Sequence, residues 1–420
     1  MRSRLGVDEA MLRQMSNVLI LLPTNSYRAA DVLGAARRLD ITAIIGSDRA
    51  QVLEPLTGGT TLTFSFNEER LPKVVRDAHA NAPFSGVVGL DDETVACAAR
   101  IARWLNLRGS SPDAARDGRS KLRVRQALAA AGIRGPGFRS IHWQDASREA
   151  SKQTYPCVLK PTFLSASRGV IRTDTPSEFM AAAARIGAIL QQSEPPDDLV
   201  TESDLLLVEE YLPGKEFALD GYLDDGLQPF LIFEKPDPLE GPFFEETLYL
   251  TPPAEPAEVL RALADEVEIA AAALGYTHGP VHAELRLRDG VPTLLEVAPR
   301  PIGGLCPRVV PLAKGVHLEE VALRGAMGLP LPALAETRPA GVMMVPIPKA
   351  GRLQAVTGKK AALAEPGVED LVVSIGPGQE VAPLPEGNRY LAFIFATGAD
   401  TTAVDRTLRR AHAHLHFEIV

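Results

Sequence analysis

Cysteine is scarce in this 420-residue chain, with three in all, at Cys97, Cys157 and Cys306. They are odd in number and far apart, which excludes a disulfide framework and a zinc-binding spacing and points to a reducing cytoplasm. Basic charge is in deficit: 44 Lys and Arg against 53 Asp and Glu give a formal net charge of −9, without basic blocks. That balance argues against a general nucleic-acid binder and against a protein of anionic membrane surfaces. No apolar run approaches the ~18 residues of a membrane helix. A signal peptide is also missing, because Asp8 and Glu9 stand where its apolar core would lie. Met15 begins MSNVLILL, so residues 1–14 read as a ragged or alternative opening. No GxGxxG follows the first predicted strand, which leaves a dinucleotide site there unsupported. No Ser-His-Asp or Cys-His signature marks a protein nucleophile.

What is present is an ordinary globular composition, 45% apolar and 23% charged, long enough for two to four domains. The short apolar runs VLILL (18–22), ITAIIG (41–46) and GVVGL (86–90) alternate with helical stretches. This order predicts a small open α/β sheet over roughly 15–110. Ser120 caps a helix that Gly132 ends. YPCVLKP and LLLVEEYL read as strands, FALDGYLDDG as part of a hairpin, and 258–274 as an amphipathic helix. VHAELRLRDGVPTLLEV (281–297) reads as a hairpin around Asp289-Gly290. Residues 235–257 are proline-rich with few periodic apolar positions, and prolines from 330 to 348 mark a boundary.

Three constellations carry chemistry. Lys160 ends a strand, and TFLSASRGV (162–170) follows it. Small residues let backbone N–H groups approach an anion, and serine hydroxyls add donors; a plain surface turn is the other reading. In VEEYLPGKE (208–216) a strand enters a hinge that can offer backbone groups to a flat base, with a later carboxylate for a ribose; solvated charge is the alternative. Glu284 and Glu296 face each other if the hairpin loop has three residues around Gly290. A two-residue turn sets Glu284 opposite Leu295 unless a bulge restores the register. Paired carboxylates repel unless a cation lies between them, and a small oxygen ligand set suits Mg²⁺ held jointly with phosphates. Arg300, four residues on, then sits where negative charge gathers. His278 and His282 flank Gly279-Pro280, which prevents the helix a zinc pair would need. His412, His414 and His416 read as alternate positions of a strand. Trp104 and Trp143 read as packing residues, and Cys157 and Cys306 as small buried ones.

In their order along the chain, Lys121, Lys160, the small-residue loop, VEEYLPGKE, HAELRL and LLEVAPRPIGG resemble the ATP-grasp superfamily over about 200 residues. The chain most resembles its L-amino acid ligase (dipeptide synthase) branch, through KPDPLEGPFFEETLY (235–249) and VAPLPEGNRYLAFIFATG (381–398). The resemblance implies an α/β and α+β multidomain protein. Its parts would be an N-terminal open α/β pre-ATP-grasp domain (1–112), an ATP-grasp domain (113–335) with a mobile lid at about 140–210, and a small C-terminal α+β subdomain (336–420). It implies ATP and Mg²⁺, with Mn²⁺ as the alternative metal, and small-molecule carboxylate and amine substrates. No nucleic acid and no membrane would be involved, and the protein would be a cytoplasmic homodimer.

By resemblance, Lys121 and Lys160 contact ATP phosphates, and Ser165, Ser167 and Gly169 lie in the loop that covers them. Glu210 and Leu212 meet the adenine through their backbones, Glu209 stands with them among the ATP-binding residues, and Glu216 takes the ribose hydroxyls. Glu284 and Glu296 hold Mg²⁺. Arg300, with Lys160, stabilises the phosphoryl group in flight and the acyl phosphate that results. Glu246, with Glu245 as fallback, meets the amino group of the first amino acid, and His282, Gly303 and Gly304 border the substrate pocket. His282 and Glu246 are both candidates for the base that takes the amine proton. Two positions depart from the pattern. Leu164 and Ala166 stand where many relatives carry glycine, and Ala298 stands where an Asn often follows the second metal glutamate. The implied activity is ATP-dependent carboxylate–amine ligation through an acyl phosphate. A carboxylating or nucleotide-pathway ligase and a non-catalytic ATP-binding protein are the alternatives.

Overall fold

In the computed structural model, residues 17–24, 26–49 and 61–420 are described; the opening 1–14 lies outside them. VLILL forms a strand inside a parallel four-stranded sheet ordered Thr61–Thr63, Thr42–Ser47, Asn17–Leu21, Gly86–Gly89. Both faces are covered, so the strands need no polar alternation and read as unbroken apolar runs. Val18, Ile20 and Leu22 pack with the helix Ala29–Arg38, while Leu19 and Leu21 pack toward the helices Lys73–Asn81 and Val95–Trp104. The first face also takes Ala322, Leu323 and Ala326 of the helix Leu318–Ala326, which seals this sheet to the rest of the chain. At Gly86 the approach is so close that a Cβ would come 2.8 Å from the Ala326 carbonyl oxygen.

The expected lid is a second sheet, antiparallel and ordered Phe138–His142, Leu205–Glu210, Cys157–Pro161, Ile171–Thr173. The helix Pro176–Gln191, capped by Thr175, covers it around Phe179 and Ile186. Trp143 lies against Gly187, where a Cβ would meet the indole at 2.6 Å, so its ring is committed to packing.

Eight strands form the central sheet, in the order Val291–Ala298, His278–Arg288, Lys215–Asp224, Leu227–Lys235, Leu248–Thr251, Ala340–Val345, Ala392–Thr397, Val368–Val373. Phe217, Leu219, Val281, Ala283 and Leu285 turn to the helix Ala257–Ala273. Their neighbours in sequence turn to the opposite face. There Ala218 and Tyr222 pack with the helices Val309–Lys314 and Leu318–Ala326. Two readings change, that of 235–257 and that of the C-terminal histidines. Residues 235–257 contain the strand Leu248–Thr251, hidden in the sequence because it is only four residues long and Pro252 follows it directly. Through that strand the sheet continues past the proline-rich 330–348 into the C-terminal segment. His412 lies in the helix Thr401–Ala413 and His416 begins the strand His416–Ile419, so the three histidines share no strand face; His414 Nε2 lies 2.9 Å from Glu365.

Candidate active site

Strand alternation gathers the polar residues of the central sheet on one side. Glu216 and Asp220 share a face of Lys215–Asp224, and His282, Glu284 and Arg286 share one of His278–Arg288. Lys235, opposite Glu216, completes the group. Its Nζ donates to Glu216 at 2.7 Å, to Glu284 at 3.0 Å and to Glu246. Carboxylate oxygens of Glu216, Glu246 and Glu284 lie within 4.8 Å of one another around this buried ammonium. Arg286 donates from Nε to Glu216 at 2.9 Å and from Nη1 to the Leu212 carbonyl at 2.7 Å. Its Nη2 reaches the Leu239 carbonyl. Arg286 thereby ties the VEEYLPGKE hinge to the loop that leads to Glu246.

The hairpin settles the register of Glu284 and Glu296. Its turn has two residues, Asp289 and Gly290, at φ of 53° and 76°. Regular pairing would then leave Glu296 out of step, but Leu295 bulges and Glu284 pairs directly with Glu296. Arg125 holds the bulge: Nη1 and Nη2 donate to the carbonyls of Leu294 and Leu295 at 3.1 and 2.6 Å. Its Nε donates to Glu209 at 2.8 Å, and Glu209 takes Lys160 at 2.5 Å on its other oxygen. Burial pushes the Glu209 carboxyl up, but Lys160 and Arg125 outweigh it and hold it below the usual range. Glu209 is only 2% exposed, and these two cations occupy both its oxygens, so it fixes the position of Lys160.

Lys121 Nζ bridges the Leu164 carbonyl at 2.9 Å and Glu296 at 3.2 Å. In the following loop Ala166, Ser167 and Gly169 take φ of 55°, 54° and 74°. The two non-glycine residues adopt the backbone that glycine would provide, at a cost of order 1 kcal/mol each. Opposite them, the N-terminal sheet clasps the loop after the hairpin. Asp92 accepts from Arg300 Nε at 2.5 Å, Tyr27 Oη accepts from the Gly304 amide at 2.8 Å, and Arg28 donates to the Ile302 carbonyl. Asp220 accepts from the Ile302 amide at 2.9 Å and lies 3.3 Å from His282 Nδ1.

Two cavities, of about 230 and 770 Å³, meet here and share Lys121, Lys160, Glu296, Arg300 and Asp92. The larger also reaches Leu212, Glu216, Glu246, His282, Gly303 and Gly304. Glu210 is exposed at its rim. Ser165 lines both cavities and Ser167 the larger. Burial raises the Glu246 carboxyl to about 7 against the pull of Lys235, with Glu284 adding repulsion. The ion pairs of Lys235 go to Glu216, Glu246 and Glu284 and not to Glu245, which is half-buried. For His282, burial favours the neutral ring, yet Asp220 and Glu284 prevail and lift it to about 9. An imidazole that keeps its proton at neutral pH is a poor general base. Glu284 stays ionised because Lys235 and His282 outweigh its burial. Ala298 is buried and adds no ligand beside Glu284 and Glu296. Sequence reasoning missed Lys235, Arg286, Asp92, Asp220 and Arg125. Arg286 stands two residues after Glu284 and so on its face, a signal that was readable; Asp92 and Arg125 are far from their partners in sequence and gave none.

A family model for the ATP-grasp domain matches residues 153–308, and one for the ATP-grasp N-terminal domain matches 33–109. The chain thus carries an ATP-grasp domain preceded by an ATP-grasp N-terminal domain. Residues 343–420 match a family model for the L-amino acid ligase C-terminal domain 2. The chain is 26% identical to protein y4rH of Sinorhizobium fredii across 97% of its own length and 84% of that protein's. It is 28% identical to alanine–anticapsin ligase of Bacillus subtilis over 49% of this chain and 46% of that ligase, and so matches about half of the relative's length. The crystal structure of L-amino acid ligase from Bacillus licheniformis superposes with a TM-score of 0.81 at 25% identity, covering 96% of this chain and 99% of that one. These likenesses agree with an ATP-dependent ligase that forms amide bonds. No helix among the described residues is long and apolar enough to cross a membrane.

Replacing Arg125 by Met leaves Glu209 buried with one cation instead of two and frees the bulge carbonyls. The expected outcome is a melting temperature lower by roughly 5 °C or more, since breaking a buried ion pair costs about 3 kcal/mol. Calorimetry that shows an unchanged transition would contradict this role for Arg125.

Proposed function

We propose that the chain activates a carboxylate, that of an amino acid or a close analogue, and joins it to an amine or second amino acid. The observation that carries this reading is the junction of the two cavities, where Lys121, Lys160, Glu296 and Arg300 converge beside the pocket that holds Glu246. A substrate carboxylate oxygen attacks the γ-phosphorus, the bond to the β–γ bridging oxygen breaks, and ADP leaves. The amine nitrogen then attacks the acyl carbon, phosphate departs with the activated oxygen, and the nitrogen loses a proton. No protein nucleophile is needed; the chain contributes position and charge.

On this reading Lys121 and Lys160 hold phosphates, and the loop of Ser165, Ser167 and Gly169 covers them. The hinge Glu210–Leu212 meets the base, and Glu216, fixed by Lys235 and Arg286, meets the ribose. Arg300 neutralises charge at the transferred phosphoryl group, aimed by Asp92. Glu246 receives the substrate ammonium, and its place on Lys235 favours it over Glu245. Gly303 and Gly304 border the same pocket. The paired carboxylates of Glu284 and Glu296 are hard oxygen donors and fit a divalent cation. Mg²⁺ or Mn²⁺ held by them would supply neutralisation of the phosphate charge. The working units are 1–112, 113–335 with its lid at 140–210, and 336–420. The three free, buried cysteines agree with a cytoplasmic setting.

The test is release of ADP and phosphate from Mg-ATP with single amino acids and all their pairs. Pair-dependent release that Glu296→Ala abolishes is expected. Release with bicarbonate and no amine would instead indicate a carboxylating enzyme, and ATP binding without release a non-catalytic protein.

A carboxyl at about 7 sets a pH dependence. Below that value Glu246 gains a proton and loses its hold on an ammonium, so kcat/KM for an α-amino substrate falls as pH drops through about 7. The des-amino analogue, measured in parallel, is expected to lack this limb; identical profiles would remove Glu246 from ammonium recognition. Asp92→Ala is expected to lower kcat roughly tenfold, the worth of one charged hydrogen bond, without shifting the melting temperature. An unchanged kcat would show that Arg300 needs no aiming.

A further inference from the structure

The lid is gripped from two sides by segments outside it, and one arginine takes part in both grips. Arg185, on the lid helix Pro176–Gln191, donates from Nε and Nη2 to the two oxygens of Glu386 at 2.6 and 2.9 Å. Its guanidinium also lies over the ring of Phe243, 5.0 Å from the centroid. Phe243 belongs to the loop that carries Glu246 three residues later, and it bridges to Ile171 of the lid. Beside it, Arg172 donates its amide to the Pro242 carbonyl at 2.9 Å and its Nη1 to the Glu240 carbonyl at 2.8 Å. From the C-terminal side, the Pro385 carbonyl accepts from the Gly169 amide at 2.9 Å, and the Glu386 carbonyl from Arg168 Nε at 3.0 Å. Pro385 therefore bonds to the loop proposed to cover the phosphates. Two residues past Glu386, Asn388 lines both cavities.

The lid has its own core, against which Phe243 of the Glu246 loop also packs; the contacts of Arg168, Arg172 and Arg185 with the other segments form a layer outside that core. That layer is polar and open to water: the Arg185 and Glu386 side chains are 44% and 43% exposed. Exposed pairs are individually weak, which suits a catch that must release product; the bidentate fork and the aromatic face give it direction.

We propose that Arg185 is a positioning residue that latches the lid at once to the Glu246 loop and to the C-terminal segment 385–388, and so keeps water from the acyl phosphate until the amine attacks. The proposal rests on the ligase reading. If the lid opens early, a water oxygen attacks the acyl carbon, the bond to the phosphate oxygen breaks, and the carboxylate is regenerated. ATP is then consumed without an amide. The ratio of ADP released to amide formed reports this leak, whereas a merely structural defect lowers both together.

The test uses the full chain with Arg185→Met, Glu386→Gln, and the charge-exchanged double variant Arg185→Glu/Glu386→Arg. ADP and amide are quantified in one reaction with Mg-ATP and the most active amino-acid pair of the screen above. Separately, dyes on Met180→Cys and Leu363→Cys, both exposed sites, report the distance from lid to C-terminal segment; the three native cysteines are buried. Expected results are one ADP per amide for the parent and a ratio raised roughly fivefold in each single variant, the factor that about 1 kcal/mol makes. The double variant should recover in part, and the dye distances should broaden in the single variants alone. Unchanged ratio and unchanged distances would overturn the latch. Broadened distances with no amide from any protein would support the latch and reject the ligase reading. Ratio and distances that move equally in the singles and the double would also overturn the pairing of Arg185 with Glu386.

Discussion

Arg125 is the contact on which the arrangement depends. One buried guanidinium closes the Leu295 bulge with two N–H groups and anchors Glu209 with a third. The bulge decides whether Glu284 and Glu296 face each other, and Glu209 decides where Lys160 points. The helix Lys121–Ala130 that carries Arg125 also begins with Lys121, which reaches Glu296 and the loop carbonyl of Leu164. Lid, hairpin and helix thus meet at a single planar cation, whose fixed fork suits three acceptors at set angles better than an ammonium would.

Around this centre the site is a problem of charge. Glu209, Glu216, Glu246, Glu284 and Glu296 crowd into little space, and buried carboxylates without partners would take up protons. Lys160, Lys235, Arg286 and Lys121 divide the load. Glu246 is the least compensated of the inner group and the one whose carboxyl rises to about 7. In the proposed reaction it is also the one that awaits a cation from outside, the ammonium of the substrate. The others are already neutralised, and that keeps them in place.

The fold was legible in the sequence where burial is uniform. VLILL and its neighbours announced parallel strands, and Asp289-Gly290 announced the turn of the hairpin. The facing glutamates were readable only as alternatives, because a bulge leaves no mark in a single sequence; the Leu295 carbonyl had to be seen on Arg125. The strand Leu248–Thr251 was too short and too close to Pro252 to show a period. Glu209 and Glu210 were read together among the nucleotide contacts, but adjacent strand residues face opposite ways, and the side of Glu209 is the buried one, on which it meets Lys160 and Arg125. The partnership of Asp92 with Arg300 joins two domains, and no local pattern encodes it.

Activation through an acyl phosphate has a direct chemical signature. With both carboxylate oxygens of the substrate labelled with the heavy isotope of oxygen, one labelled atom must leave with each phosphate and one remain in the amide. Mass spectrometry of the phosphate formed during amide synthesis reads this. One label per phosphate is the predicted result. Unlabelled phosphate, or AMP and pyrophosphate in place of ADP, would contradict it.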